Sequence, residues 1–189
     1  MNIPAKLQRR PFFAPIGLLA MTAMVGVVIL LVVAWLLITS TSTTVIVVRH
    51  APQVLGEAGA EAPLTPEGQA RAALLAQLLG DTRLRSRVEA IYVSATLRSR
   101  STAAPLAKSL GITPEIVPRE DVRSLVRDIL RDHTGATVLV VGHADTLPAI
   151  VSALSGEKDI PPVASGDYST MYIVTVPRIG RASILRLNY

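Results

Sequence analysis

Val45-Ile46-Val47-Val48-Arg49-His50 is a run of four β-branched residues that passes without a break into a cation and an imidazole. Consecutive β-branched side chains are poor helix formers and suit an extended chain. Neighbouring residues of a strand face opposite ways, so an unbroken apolar run needs cover on both sides. That is the position of a central strand in a buried, parallel sheet. Two later runs repeat the arrangement. Ala90-Ile91-Tyr92-Val93 leads into Ser94-Ala95-Thr96-Leu97-Arg98, and Thr137-Val138-Leu139-Val140-Val141 leads into Gly142-His143.

Helical patterns lie between these runs. Thr65 reads as an N-cap with Pro66 at the first helical position, and the apolar face runs through Ala70, Ala73, Leu74 and Leu78 to Gly80. A second helix is predicted from near Thr96 to Gly111, with Pro105 kinking or shortening it. A short strand, Glu115-Ile116-Val117, precedes a third helix that places Val122, Leu125, Val126, Ile129 and Leu130 on one face. Tyr168–Val176 and Ala182–Leu187, around Pro177-Arg178-Ile179-Gly180, read as a closing hairpin. Alternating strands and helices predict an α/β domain with a mostly parallel central sheet over residues 45–189.

Ligands of open α/β sheets gather outside the carboxyl ends of the strands. Each of the three buried runs ends there in a cationic or imidazole side chain, so Arg49, His50, Arg98 and His143 are predicted to meet at one edge. The set suits a phosphoryl group. Arginine's planar fork matches the anion's oxygens, which makes Arg49 and Arg98 a natural clamp. Nearby cations disfavour a protonated ring, leaving His50 neutral and able to attack phosphorus. His143 is suited to donate a hydrogen bond to an oxygen gaining charge. The arginines supply the positive charge, so the reading calls for no metal and no cofactor.

From Val45 to the end the chain resembles the histidine phosphatase superfamily, also called phosphoglycerate mutase-like. Arg49-His50 is similar to that family's Arg-His motif after its first strand, and Leu64-Thr65-Pro66-Glu67-Gly68-Gln69-Ala70 to its L-T-x-x-G-x-x-A helix start. Ser94 to Ala103 resembles S-P-L-x-R-A-x-Q-T-A, and Gly142-His143 the closing Gly-His motif. The resemblance implies a three-layer fold and a phosphohistidine formed on His50, with Arg49, Arg98 and His143 binding the phosphoryl group. Residues 51–52 are Ala-Pro where many relatives have Gly-Glu or Ala-Glu. The domain has no room for the longer insertions of members with mutase activity. It looks closest to short bacterial members, including those acting on phosphohistidine in proteins.

A leaving alcohol needs a proton. Asp121 is assigned as the donor, with Glu120 and Asp145 as alternatives. Arg100 is placed in solvent, as is His133 near a helix end. Arg119, Arg123, Arg127 and Arg131 are interspersed with Asp121, Asp128 and Asp132 and read as a solvated face.

Upstream, no charged residue occurs from Phe12 to Ile38. Twenty-seven helical residues reach about 40 Å, more than a bilayer's hydrocarbon core. The run is longer than the apolar part of a cleaved signal and lacks a small-residue cleavage site, so residues 12–38 are predicted to be a transmembrane anchor. Trp35 near its far end suits the headgroup region. Lys6, Arg9 and Arg10 make residues 1–11 a basic tail, predicted to stay cytoplasmic, which places the domain outside, in the periplasm of a Gram-negative cell. Residues 39–44 are Thr and Ser and read as a linker of at most about 20 Å.

The other basic residues nearly balance the 14 acids, and both Phe and the one Trp lie in or beside the apolar segment, which argues against nucleic acid. Cysteine is absent, excluding disulfides and a thiolate nucleophile. The partners that remain are a phosphorylated small molecule, an envelope glycolipid or a phosphoprotein.

Overall fold

The computed structural model of the chain describes residues 14–39, 41–54, 56, 61–80 and 87–189. The basic tail with Lys6, Arg9 and Arg10 lies outside the described residues. The chain divides into two units, Met1–Ser40 and Thr41–Tyr189.

In the first unit, helix α1 covers Ala14–Thr39, and its stretch Gly17–Leu36 is long and apolar enough to cross a membrane. Leucine, valine and methionine side chains are exposed along this stretch. A helix apolar all round is built for an apolar surrounding.

In the second unit six strands form one sheet in the order β3-β2-β4-β1-β5-β6. Strands β1 (Ser42–Arg49), β2 (Val88–Ser94), β3 (Glu115–Val117) and β4 (Thr137–Gly142) are parallel. The hairpin of β5 (Thr170–Pro177) and β6 (Ser183–Asn188) adds two antiparallel strands beside β1. The mostly parallel α/β sheet is therefore as predicted.

The alternation of strand side chains builds the three layers. Val45 and Val47 of β1 join Val138 and Val140 of β4 in one core cluster, against Leu125 and Ile129 of α4 (Val122–Asp132) and Leu147, Ile150 and Val151 of α5 (Leu147–Ser155). Ile46 and Val48 point the other way, joining Ile91, Leu139 and Val141 against Leu75 of α2 (Pro66–Leu79) and Ala103 and Leu106 of α3 (Leu97–Leu110).

One boundary differs from the sequence reading, helix α3 keeps its expected end at Gly111 despite Pro105, and one helix is additional. Strand β1 starts at Ser42, within the expected linker of residues 39–44, because Ser42, Thr43 and Thr44 pair with Pro177, Val176 and Thr175 of β5. Threonine is at home in such a ladder. Helix α3 runs through Pro105 to Leu110; burial of Leu106 and Ala107 outweighs the backbone bond that proline cannot make. Helix α5 was not anticipated.

Candidate active site

Helices α2 and α3 begin at the carboxyl edge of the sheet, and their first turns hold the segment that follows β1. Thr65 caps α2 through its Oγ1, which accepts from the Gly68 N–H at 3.0 Å. Gly68 admits the Pro52 carbonyl, which would lie 2.2 Å from a Cβ at this position. From α3, the Thr102 hydroxyl accepts the Ala51 N–H at 2.9 Å and donates to the Arg98 carbonyl at 2.7 Å. The chain just past His50 is thus gripped by two helices.

His50, buried, donates its backbone N–H to the Gly142 carbonyl at 3.0 Å, tying the ends of β1 and β4 together. Its Nδ1 lies 2.9 Å from the Ala51 carbonyl. A carbonyl only accepts, so the proton of the neutral ring sits on Nδ1 and the lone pair on Nε2. The His143 ring is 5.1 Å away, centroid to centroid. Its Nε2 lies 2.9 Å from the Ser94 hydroxyl, itself within 2.9 Å of the Ser99 and Thr96 hydroxyls.

Arg49 is locked by the segment leading into β5. Its Nη1 donates to the carbonyls of Ala164, Ser165 and Asp167 at 3.1, 2.6 and 3.0 Å, and its guanidinium stacks 3.9 Å from the Tyr168 ring centroid. Its buried Nε has no hydrogen-bond partner among the described residues, a donor suited to an anion.

Arg49, His50, Arg98 and His143 line one concavity of about 450 Å³, together with Gln53, Arg119, Asp145 and Tyr168. The four-residue convergence expected at the sheet edge is present. Burial is the main reason that the His50 imidazole falls to about 4; the charges of Arg98, Arg49 and Arg119 add to it, against the Ala51 hydrogen bond. His143 falls to about 3, through burial and then the influence of His50, Arg119 and Arg98. Both rings are neutral at pH 7. The cations named from sequence as the cause come second to desolvation.

Asp121 is not part of this pocket. It is the N-cap of α4, its Oδ1 accepting from the Ser124 N–H at 3.1 Å, a bond that holds the exposed carboxylate below its ordinary pKa. The structure therefore does not bring Asp121, the assigned proton donor, together with His50, Arg49, Arg98 and His143. Glu120 lines an adjoining concavity that shares Gln53, Arg98 and Arg119 with the first. Asp145 lines the pocket itself and pairs with Arg119. Burial raises the Asp145 pKa, yet the Arg119 hydrogen bond, a backbone bond and nearby positive charge leave it lowered.

Arg119 was read from sequence as part of a solvated face. It precedes α4 and reaches the pocket instead, a third guanidinium beside Arg49 and Arg98. Tyr168 lies just before β5, and nothing in its spacing signals a place beside Arg49. Arg100 pairs with Glu61 at an exposed position, as solvation implied. His133 is half-buried and lies 3.0 Å from the Tyr92 hydroxyl, deeper than expected. Among the described residues, no group of three or more His, Asp or Glu side chains is arranged to hold a metal ion.

Residues 45–121 match the family model of the histidine phosphatase superfamily (branch 1). No curated protein matches the chain in sequence. Among solved structures, the protein histidine phosphatase SixA complexed with tungstate superposes with a TM-score of 0.64 at 22% identity, covering 77% of this chain and 96% of that one. A SixA described as a putative phosphohistidine phosphatase from Agrobacterium tumefaciens gives 0.58 at 22%, covering 78% and 98%. An α-ribazole-5′-P phosphatase, also described as putative, from Escherichia coli str. K-12 substr. MG1655 gives 0.61 at 17%, covering 78% and 96%. At these identities the likeness is one of fold. The matched segment spans the Arg49-His50 strand end, the α2 start and the Arg98 helix; residues 45–121 are thus similar to the histidine phosphatase superfamily, and the domain as a whole shares the fold of these solved phosphatases.

Proposed function

We propose that the domain is a metal-independent phosphatase working through a phosphohistidine on His50, and that α1 anchors it in a membrane with the domain outside the cytoplasm. The observation that carries the chemistry is the His50 ring. It is neutral, its proton is committed to the Ala51 carbonyl, and its Nε2 lone pair shares a pocket with two guanidinium groups and His143. Nε2 attacks phosphorus, the bond to the leaving oxygen or nitrogen breaks, and the phosphoryl group stays on His50. Water then attacks that phosphorus, releasing phosphate and restoring the neutral ring. Arg49 and Arg98 hold the equatorial oxygens. The Ser94 hydroxyl donates to Ser99 and is left to accept from Nε2–H of His143, so Nδ1 of His143 stabilises the growing charge once the phosphoryl dianion has drawn a proton onto the ring.

Asp145 is the proton donor for an ester in this reading. A bound phosphoryl group competes for Arg119 and places negative charge beside the carboxylate, and both effects raise its pKa. The substrates are phosphomonoesters or protein phosphohistidine. The solved relatives with the same fold include a protein histidine phosphatase, which supports the second class.

The full chain in detergent should hydrolyse an aryl phosphate in the presence of a chelator, and His50→Ala should abolish turnover. Alkaline quenching should trap an alkali-stable, acid-labile phosphoenzyme. An acid-stable adduct would overturn the mechanism.

A second reading, a phosphate-binding module without turnover, is favoured by one observation: the carboxylate in the pocket is ion-paired and its pKa lowered. Wild-type protein that binds vanadate yet hydrolyses no phosphoester or phosphoramidate would establish it. Topology is tested separately. A reporter fused after Tyr189 should be active only outside the cytoplasm.

A further inference from the structure

The end of the domain opposite the His50 pocket has a composition of its own. The β5–β6 turn is Pro177-Arg178-Ile179-Gly180-Arg181, with both arginines and Ile179 exposed. Ile179 is 63% exposed, and Gly180 takes a φ of +118°, which lets the turn close. Among the described residues, neither Arg178 nor Arg181 forms an ion pair, whereas Arg131, in the preceding α4, is paired with Asp128 and Asp132. An isoleucine between two arginines without ion-pair partners is a fitting surface for an anionic lipid interface.

The turn's position gives it a partner. Pro177 pairs with Ser42, and the Arg178 N–H donates to the Thr41 carbonyl at 3.2 Å. The turn therefore lies beside the point where the chain enters the domain, two residues after α1 ends at Thr39. A concavity of about 430 Å³ lies there, lined by the hydroxyl-bearing Thr41, Thr43 and Thr134, by Leu130 and Pro177, and by Arg178. The Thr43 and Thr134 hydroxyls already donate to the His133 and Leu130 carbonyls, which leaves the exposed Arg178 guanidinium as the group suited to a phosphodiester, with Ile179 suited to the acyl boundary.

We propose that the Arg178–Arg181 turn is a membrane-surface contact, with its arginines on the headgroups of anionic phospholipids and Ile179 inserted between them. The inference rests on α1 spanning the bilayer. Within the domain, His50 follows the far end of the eight-residue β1, about 25 Å from Ser42 at the rise of an extended strand.

The chain has no cysteine, so a single introduced thiol can be labelled cleanly. Full-length Ile179→Cys and Glu120→Cys, each carrying a fluorophore, are reconstituted into vesicles containing phosphatidylglycerol and a headgroup-level nitroxide lipid. Vesicle flotation is measured in the same samples. The expected result is co-flotation, with quenching at least threefold stronger at position 179 than at position 120. Adding Arg178→Glu and Arg181→Glu should reduce the quenching at 179 at least twofold. Co-flotation with an unquenched probe at 179, or with equal quenching at 120, would overturn this proposal alone. A chain that stays out of the vesicles would overturn the anchor and this contact together. The phosphatase reading is scored separately, by turnover of the same preparation on a soluble aryl phosphate.

Discussion

Acid should unfold this domain through the two histidines of the pocket. Both rings are buried and neutral in the fold, at about 4 for His50 and about 3 for His143. In the unfolded chain each returns to an ordinary value of about 6.5. Between these limits the unfolded state binds more protons than the folded one, so stability falls as the pH drops below 6.5. The loss continues until His50 itself protonates in the fold, near 4. From pH 7 to pH 5 each ring contributes a loss of about 2 kcal/mol, and together they contribute about 4 kcal/mol. Since both folded values lie below pH 5, this size is set mainly by the unfolded value. For a domain of this length the loss corresponds to roughly 10 °C in Tm. The carboxylates with lowered pKa, Asp121, Asp132, Asp145 and Asp167, lose their contribution only below about pH 4 and leave this window clean. All four tyrosines lie in the domain while Trp35 lies in α1, so near-ultraviolet tyrosine dichroism of the full chain in neutral detergent follows the domain. The wild type is compared at pH 7 and pH 5 with the His50→Asn/His143→Asn double variant, which should lose less than a third as much. An equal acid loss in the double variant would refute the reasoning, as would a wild type indifferent to pH in this range.

Asp121→Ala should cost about 1 kcal/mol, as the loss of a helix cap does, with kcat within twofold of wild type; a hundredfold fall in kcat with normal vanadate binding would restore it as the proton donor. Asp145→Asn should slow an alkyl phosphate at least tenfold while sparing p-nitrophenyl phosphate, whose leaving group needs little help from an acid; parallel losses on both would remove its role. Gly68→Ala should lower Tm and kcat together, because the new Cβ drives the Pro52 carbonyl away by overpacking of about 1–3 kcal/mol. Thr102→Val leaves the buried Ala51 N–H without its acceptor, a loss of about 1–3 kcal/mol readable by denaturant unfolding.

Much of this protein was legible before any coordinates. The run from Val45 to Val48 had to be a central strand, since four β-branched residues in a row need cover on both faces, and the two core clusters divide those four residues between them. The strand-end positions of Arg49, His50 and His143 followed from the same periodicity, as did the place of Arg98 just beyond β2 and the helix starting at Thr65. Helix α5 has its own signature in the sequence: Leu147, Ile150, Val151 and Leu154 keep a helical spacing, with Pro148 near its start and Gly156 after its end.

Local patterns determine which residues are strand, helix or strand end, because periodicity and capping act over a few residues. They say little about contacts between segments far apart in the chain. That Arg119 leaves its helix-side neighbours for the pocket depends on Asp145, 26 residues later, and on where β3 ends. That Asp121 caps α4 and stays outside the pocket depends on which way the first turn of α4 faces. The lock on Arg49 comes from carbonyls more than a hundred residues downstream. Desolvation, the main reason that His50 is neutral, has no counterpart in a motif, because it is a property of the surrounding packed atoms. Tertiary structure alone decided those four points, since burial and charge pairing depend on distance in space.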